Sequence, residues 1–173
     1  MQYSTCYDRY FEVFCYGFFR QILPWQWFKA QAIAESDLDP AAISPAGAVG
    51  LMQLMPGTAA EMAKKLGIEN TPQVLHINIR LGIAYDRQCW DIWKKESGIE
   101  RVRFMLGSYN AGPGSILDAQ RLASKKGLPT DQWQSIAAVL PEITGDDDAP
   151  ETINYVAKIE RIFRELTTKE RSK

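Results

Sequence analysis

The sequence has little histidine and cysteine, the two side chains on which many metal sites and nucleophilic sites depend. Its 173 residues include one histidine, His76, and three cysteines, Cys6, Cys15 and Cys89. A single histidine in a predicted connection between helices gives no basis for a histidine metal site or a nucleophilic triad. The cysteines match no metal-ligand spacing, and a Cys6–Cys15 disulfide stays open. We therefore expect no metal ion and no cofactor.

An excess of charge of one sign and long apolar runs are also missing. The formal net charge is -1 and the lysines form short pairs rather than a stripe, so the sequence predicts no nucleic-acid partner. No run reaches the ~18 apolar residues that a membrane span requires. The aromatic N-terminal segment is interrupted by Asp8, Arg9 and Glu12 and lacks a small-residue cleavage site, so it does not predict a signal peptide. We expect a monomer without a membrane span.

What is present is a helical pattern of apolar residues. Near the N-terminus, Tyr7, Tyr10, Phe11, Phe14 and Phe18 recur at steps of three and four residues, which predicts an amphipathic helix. No stretch alternates apolar and polar residues as a strand does. The sequence therefore predicts an all-α fold with six to eight helices in one domain over residues 1–173. Residues 1–26 are expected to add an N-terminal helix, and residues 167–173 to fray.

Proline and glycine divide the chain into its predicted helices. Pro24 separates the first two helices, and Gly67 and Gly98 are interpreted as helix ends. Residues 36–50 hold two prolines and two glycines without a sustained period, so they predict an ordered loop. The predicted helices are Tyr7–Arg20, Trp25–Glu35, Pro56–Leu66, Asn78–Ser97, Glu100–Tyr109, Ser115–Lys126, Asp131–Leu140 and Pro150–Leu166.

The side chain with the most chemical interest is Glu35, which ends the apolar run of the second predicted helix. Burial disfavours the charged form of a carboxyl, so we expect a raised pKa for Glu35 and proton donation near neutral pH. Asp37 lies two positions further on, about 200° around a helix, so it would not face the same substrate. The placement of Asp39 in the loop stays undecided. On spacing alone, Glu35 as a helix-end carboxylate without function also stays open.

Four blocks of residues follow one another along the chain. They are Glu35-Ser36 with Ser44–Ala48, Gly50–Gln53 and Met55–Ala59; Asn78-Ile79 with Gly82 and Tyr85; Ser108–Gly114; and Glu151-Thr152 with Asn154–Val156. In this order they resemble the signature blocks of the soluble-type lytic transglycosylases, which are lysozyme-like enzymes of bacterial cell-wall glycan, related to goose-type lysozyme. The resemblance extends over about Trp27–Phe163 and implies a compact lysozyme-like helical domain. Gly107 stands where the family commonly has alanine, which we expect to matter little.

The resemblance implies that the chain cleaves the β-1,4 bond between N-acetylmuramic acid and N-acetylglucosamine in peptidoglycan. Glu35 would protonate the glycosidic oxygen and then accept the proton of the muramic acid 6-hydroxyl, which closes on C1 to form a 1,6-anhydro product. The cell wall would be reached in the periplasm or by phage delivery.

The same resemblance assigns the substrate-binding residues. Ser44 would orient the acetamido group or the reacting sugar, and Gln53 with Met52 and Met55 would line a sugar subsite. In the later blocks, Tyr109 and Asn110 would bind sugar or hold Glu35. Tyr155 would lie near the same carboxyl, and Glu151 would make polar contacts.

Two alternatives remain open at this point. A goose-type-like muramidase would hydrolyse the same bond, and would need a water-activating carboxylate, for which Asp37 and Asp39 are the candidates. A non-catalytic glycan-binding module would keep the fold without cleaving the strand. The absence of a clear second carboxylate beside Glu35 favours anhydro-sugar formation over hydrolysis.

Overall fold

The structure is a computed structural model that describes residues 3–170. Within these residues it contains nine α-helices and two isolated β-bridges, with no β-strand, which confirms the all-α prediction. The helix count exceeds the predicted six to eight because Pro141–Thr144 forms a separate short helix. The helices are α1 Asp8–Phe19, α2 Gln26–Ser36, α3 Pro56–Leu66, α4 Leu75–Ile92, α5 Gly98–Ala111, α6 Pro113–Lys125, α7 Trp133–Val139, α8 Pro141–Thr144 and α9 Asp148–Glu170.

The end of α4 differs most from its prediction. α4 ends at Ile92 rather than Ser97, and Gly98 begins α5 instead of stopping a helix. The last carbonyls of a helix need partners from outside it. Here the guanidinium of Arg101 donates two hydrogen bonds to the carbonyl oxygen of Trp90, at 3.0 and 3.3 Å, and lies over the Trp90 ring. The side chain of Arg101, eleven residues after Trp90, therefore helps to end α4.

One other local prediction is corrected. His76 lies in the first turn of α4 rather than in a connection, and its exposed ring stacks on Tyr10 with 6.2 Å between centroids. Helix α9 extends to Glu170, and the fraying of residues 167–173 stays a prediction. Residues 171–173 of that predicted tail, like residues 1–2, lie outside the described residues.

The three cysteines are free thiols, so the open question of a Cys6–Cys15 disulfide is answered. Cys6 is exposed, whereas Cys15 and Cys89 are buried. Burial raises the pKa of the Cys15 thiol to about 11, and this thiol donates to the carbonyl oxygen of Leu23 at 3.3 Å. Cys15 is therefore a neutral core side chain at neutral pH.

The chain divides into two compact units, and each is described by itself. Unit 1 contains the residues up to Arg87 and those from Ile159 onward, and unit 2 contains Gln88–Lys158. The single domain expected for residues 1–173 stays a prediction. No helix within the described residues is both long and apolar enough to cross a membrane.

Unit 1 is built around α2, in which every residue from Trp27 to Ile33 is buried. The ring of Trp27 stacks on Phe163, with 3.8 Å between centroids. Lys29 is also buried, and its ammonium donates to the carboxylate of Asp8 on α1 at 2.6 Å. A buried charge requires such a partner. The Lys29–Asp8 pair therefore ties the N-terminal helix to the central helix of the unit.

Unit 2 is built around α5, which packs against α6 and α7. The indole N–H of Trp93 donates to the hydroxyl of Ser108 at 2.9 Å, and Phe104 packs against both Trp93 and Trp133. A Cβ atom added at Gly107 would lie 2.4 Å from the Trp133 ring, closer than any packed contact. The expectation that glycine in place of alanine matters little here is therefore wrong, because the Trp133 ring occupies the space of a methyl group.

Candidate active site

Glu35 is the penultimate residue of α2 and is half-buried. Next to it, the hydroxyl of Ser36 donates to the carbonyl oxygens of Ala32 and Leu51, at 3.2 and 3.0 Å. The following residues, Asp37 and Leu38, both adopt left-handed backbone conformations, which reverse the chain. The C-terminal end of α2 is thereby tied to the loop that follows it in unit 1.

That loop is ordered by its own hydrogen bonds, as the sequence predicted. The backbone N–H of Ser44 donates to the carbonyl of Ala48 at 2.9 Å, and the N–H of Ala48 donates to the Ser44 hydroxyl oxygen at 3.0 Å. Val49 forms isolated β-bridges with Ile43 and Leu54. Because the Ser44 oxygen serves here as an acceptor, its own O–H proton is still available to donate.

Gln53 is held in the same loop through its side chain. Its amide nitrogen donates to the carbonyl oxygens of Gly50 and Ala42, at 2.8 and 3.2 Å. Its backbone φ is 43°, a left-handed conformation that L-residues with a Cβ seldom adopt. With both amide hydrogens engaged by the loop, the side-chain oxygen is the atom with which Gln53 would contact a ligand.

The side chain of Asn78, a residue of α4, connects this loop to the helix. Its side-chain amide donates to the carbonyl oxygens of Val49 and Pro72, both at 2.9 Å, and its oxygen accepts from the backbone N–H of Met52 at 2.8 Å. A Cβ atom added at Gly50 would lie 2.4 Å from the Asn78 nitrogen. The sequence placed Asn78 in a family block without a role, and the structure gives it this one.

The two methionines predicted to line a sugar subsite differ in exposure. Met52 is 0% exposed and packs over Gly82, where an added Cβ would lie 2.8 Å from the Met52 side chain. Met55 is 44% exposed and precedes Pro56, the first residue of α3. Contact of either side chain with sugar stays a prediction, and Met52 supports the loop from the core.

Unit 1 contains a second acidic side chain of interest, Asp86, which the sequence did not reveal as a candidate. Asp86, on α4, is 0% exposed and accepts a hydrogen bond from the amide of Gln31 on α2 at 3.3 Å. Burial raises the pKa of the Asp86 carboxyl well above its usual range, the Gln31 bond opposes this, and the charge of Glu35 raises it further. A sequence signal existed, because Asp86 lies three residues after buried Ile83 and four before buried Trp90, on the apolar stripe of α4.

The remaining predicted residues lie in unit 2. The hydroxyl of Thr152 donates to the side-chain oxygen of Asn110 at 2.7 Å, and the Asn110 amide reaches Glu151 at 3.5 Å. These three residues belong to a cavity of about 380 Å³. The structure thus brings Asn110 and Glu151 together and adds Thr152. The other lining residues are Ala111, Ser115, Ile143, Thr144 and Asp148.

The predicted tyrosines flank these residues along their helices. Tyr109 is half-buried on α5, directly before Asn110, and Tyr155 is nearly buried on α9, one turn after Glu151. Their proposed contacts with sugar or with Glu35 stay predictions. In the part of the chain that the structure describes, no group of three or more histidine, cysteine, aspartate or glutamate residues is arranged to hold a metal ion.

The family model described as Transglycosylase SLT domain matches residues 20–131. Among curated relatives, the membrane-bound lytic murein transglycosylase F of Maricaulis maris is 34% identical over 157 residues, covering 83% of this chain and 33% of the relative. The protein of the same name from Desulfosudis oleivorans is 38% identical over 120 residues, covering 68% of this chain and 25% of the relative. The chain spans about a third or less of the length of these relatives.

Solved structures also match over nearly the whole chain. The 70 kDa soluble lytic transglycosylase of Escherichia coli has a TM-score of 0.73 at 24% identity, covering 95% of this chain and 25% of that chain. This match shows the fold. An inactive mutant of the lytic transglycosylase Slt of Pseudomonas aeruginosa, with glutamine in place of a glutamate, has a TM-score of 0.72 at 25% identity, covering 96% of this chain and 25% of that chain.

Proposed function

Since the chain belongs to the transglycosylase SLT domain family, we propose that it is a lytic transglycosylase that cleaves the glycan strands of peptidoglycan. The observation that carries the proposal is the placement of Glu35, a half-buried carboxyl at the end of a buried helix, tied to an ordered loop. The relatives named as lytic murein transglycosylases support the substrate class. The inactive Glu-to-Gln mutant of a relative supports a requirement for one glutamate.

The proposed reaction uses the Glu35 carboxyl twice. As an acid, Glu35 donates its proton to the oxygen of the β-1,4 bond between N-acetylmuramic acid and N-acetylglucosamine, and the C1–O bond breaks. As the resulting carboxylate, it accepts the proton of the muramic acid 6-hydroxyl while that oxygen bonds to C1. The product is a 1,6-anhydromuramic end, and Glu35 regains its starting proton. The sugar supplies the nucleophile, so no activated water is consumed.

The other carboxyls of the surrounding segment fit this single-acid reaction better than hydrolysis. Asp37 is exposed beyond the end of α2, and one oxygen of Asp39 accepts the backbone N–H of Ala41 at 2.8 Å. Asp86 is fully buried, so it has no access to water. A hydrolase would need one of them to activate a water molecule.

The atoms left available by the loop match the acetamido group of the sugars. The Ser44 hydroxyl has a proton to donate to an acetamido carbonyl, and the Gln53 side-chain oxygen has lone pairs for an acetamido N–H. We infer that Met55 adds an exposed apolar contact to this subsite. In unit 2, Asn110 and Glu151 would bind polar groups of the substrate, and Tyr109 and Tyr155 would pack beside them.

The test is the product of peptidoglycan digestion. Mass spectrometry of the released muropeptides is expected to show 1,6-anhydromuramic ends. Reducing muramic acid as the main product would instead make the protein a muramidase. Binding to glycan strands without any release of muropeptides would make it a binding module.

The role of Glu35 is tested by the nearly isosteric change Glu35→Gln, which removes the donated proton. We expect the rate of anhydromuropeptide formation to fall at least ~100-fold, because general acid catalysis contributes on this order. The matched control is Glu61→Gln on α3, where the exposed glutamate pairs with Lys65, and its activity should stay at the wild-type level. A fully active Glu35→Gln protein would show that another group donates the proton.

The place of action and the assembly are also proposals. Relatives named for murein support action at the bacterial cell wall. Access through the periplasm or by phage delivery, and the monomeric state, stay predictions that gel filtration and fractionation of the producing cells would test.

A further inference from the structure

The interior of unit 1 contains an acidic side chain linked to the helix that carries Glu35. Asp86 of α4 accepts a hydrogen bond from Gln31 of α2 at 3.3 Å. Gln31 lies four residues before Glu35, so the two side chains share one face of α2, one turn apart. Asp86 therefore contacts α2 directly below the turn that ends in Glu35.

The surroundings of Asp86 do not suit a charged carboxylate. The residue is 0% exposed, and within residues 3–170 no donor is within hydrogen-bonding distance of its second oxygen. Two cationic side chains of these helices bond to other groups. Lys29 of α2 pairs with Asp8 of α1, and Arg87, the next residue of α4, donates to the carbonyl oxygen of Phe18 at 2.8 Å.

An uncharged carboxyl group at Asp86 fits these buried surroundings. Moving an unpaired carboxylate into the interior costs several kcal/mol even after relaxation of the protein, and such a group holds its proton instead. Burial raises the pKa of Asp86 first, and the negative charge of Glu35 raises it further, against the opposing hydrogen bond from Gln31. Because Asp86 is fully buried and Glu35 only half-buried, burial disfavours the charged form more strongly at Asp86.

We propose that Asp86 is a positioning residue for Glu35: an uncharged carboxylic acid that holds Gln31 and the last turn of α2 in place. Glu35 is then the group of this pair that loses and regains a proton during the reaction. When Glu35 becomes a carboxylate after donating its proton, an uncharged Asp86 places no second negative charge beneath it. The inference rests on the proposed function for its kinetic part, whereas the protonation state of Asp86 is measurable without any activity.

The protonation state is tested by infrared spectroscopy on the whole protein at pH 7. A band of a protonated carboxyl group is expected in the wild type and should be missing in Asp86→Asn. The matched control is Asp91→Asn, the same chemical change at an exposed position of the same helix, which should leave the band in place. A wild-type spectrum identical to that of Asp86→Asn would overturn the proposal.

The kinetic test uses two substitutions of Asp86. Asparagine keeps an oxygen that accepts from Gln31 and keeps the site neutral, so kcat should stay within about twofold of the wild type. Leucine removes the acceptor, and a misplaced Glu35 should lower kcat at least ~10-fold with little change in KM. If the leucine protein does not fold, Gln31→Met removes the same hydrogen bond from the other side and should give the same loss of kcat. Full activity of both Asp86→Leu and Gln31→Met would overturn the positioning role.

The pH profile separates a neutral Asp86 from a charged one. Activity requires protonated Glu35, so the alkaline limb of kcat/KM follows the loss of that proton. With a neutral Asp86, this limb should lie at the same pH in Asp86→Asn and in the wild type. A charged Asp86 would disfavour the charged form of Glu35, and its removal would then move the limb to lower pH. If the wild type forms no anhydromuropeptides, the proposed function fails, and the infrared test alone decides on Asp86.

Discussion

Asp86 is a residue whose burial has a consequence for stability at neutral pH. Its pKa is raised in the folded protein by burial and by Glu35, so the folded state keeps a proton that the unfolded chain releases above about pH 3.9. The folded state of the wild type is then favoured over the unfolded state at low pH, and the free energy of unfolding falls as the pH rises towards the folded-state pKa. A leucine or an asparagine at this position would not carry that dependence.

We therefore predict that Asp86→Asn gains stability relative to the wild type as the pH rises. The difference in unfolding free energy should shift by up to ~1.4 kcal/mol per pH unit over the range between the unfolded-state pKa of about 3.9 and the raised folded-state pKa. Urea unfolding of both proteins at several pH values measures it, with Asp91→Asn as the control. A difference that stays constant over this range would show that Asp86 is ionised in the folded protein.

Gly107 and Gln53 show how single residues depend on their neighbours. Gly107 leaves space for the Trp133 ring, a partner 26 positions away, and no local pattern announces that contact. Gln53 is predicted to line a sugar subsite, and the bonds from its amide nitrogen to two loop carbonyls leave its side-chain oxygen for that contact. In both cases the sequence identified the residue, whereas the contacts that the residue makes became known only from the structure.

At the level of elements, the segment after α2 shows how a loop without helix or strand becomes rigid. Ser36, Ser44, Gln53 and Asn78 all bond to backbone groups of this loop, so its polar backbone is satisfied without a sheet. A loop built in this way presents Ser44 and Gln53 in defined positions. Its ordering depends on the close approach of Gly50 to Asn78.

Gly50→Ala is predicted to disturb this loop. The φ of 74° costs an alanine ~1–2 kcal/mol, and its Cβ would displace the Asn78 amide. We expect a lower melting temperature and reduced formation of anhydromuropeptides. Gly57→Ala is the matched control, because an added Cβ there meets no atom within 4 Å and φ is not positive, so it should be neutral or stabilising. Equal effects of the two changes would contradict this account of the loop.

For the molecule as a whole, the N-terminal helix is integrated into unit 1 although the family match begins at residue 20. The Lys29–Asp8 ion pair connects α1 to α2, and the hydrogen bond from Arg87 to the Phe18 carbonyl connects α1 to α4. Both α2 and α4 lie within the family match. Lys29 is 2% exposed, and its ammonium also lies 5.8 Å from the centre of the Trp25 ring. Removing either partner of this pair should therefore affect the folding of the unit.

The two partners should not be equivalent. Asp8→Asn leaves the buried Lys29 ammonium without its counter-charge and should cost ~3 kcal/mol, whereas Lys29→Met leaves a carboxylate that water reaches and should cost less. Chemical denaturation of both variants measures the order. Glu12→Gln, which breaks the exposed pair with Arg9, is the control and should stay within ~1 kcal/mol of the wild type. A larger loss for Lys29→Met than for Asp8→Asn would contradict the burial argument.

The sequence alone determined the helical class, the approximate helices, the ordered loop after Glu35 and the family. Periodicity, proline and glycine act within a few residues, and each signature block is a short segment of sequence, so these features can be read locally. The tertiary structure decided the hydrogen bonds of Asn78, the burial of Asp86 beneath α2, the space at Gly107 and the hydrogen bonds from Arg101 that help to end α4 at Ile92. Each of these depends on which distant side chain fills or bonds a buried position, because burial and hydrogen-bond satisfaction are properties of packed elements rather than of sequence neighbours.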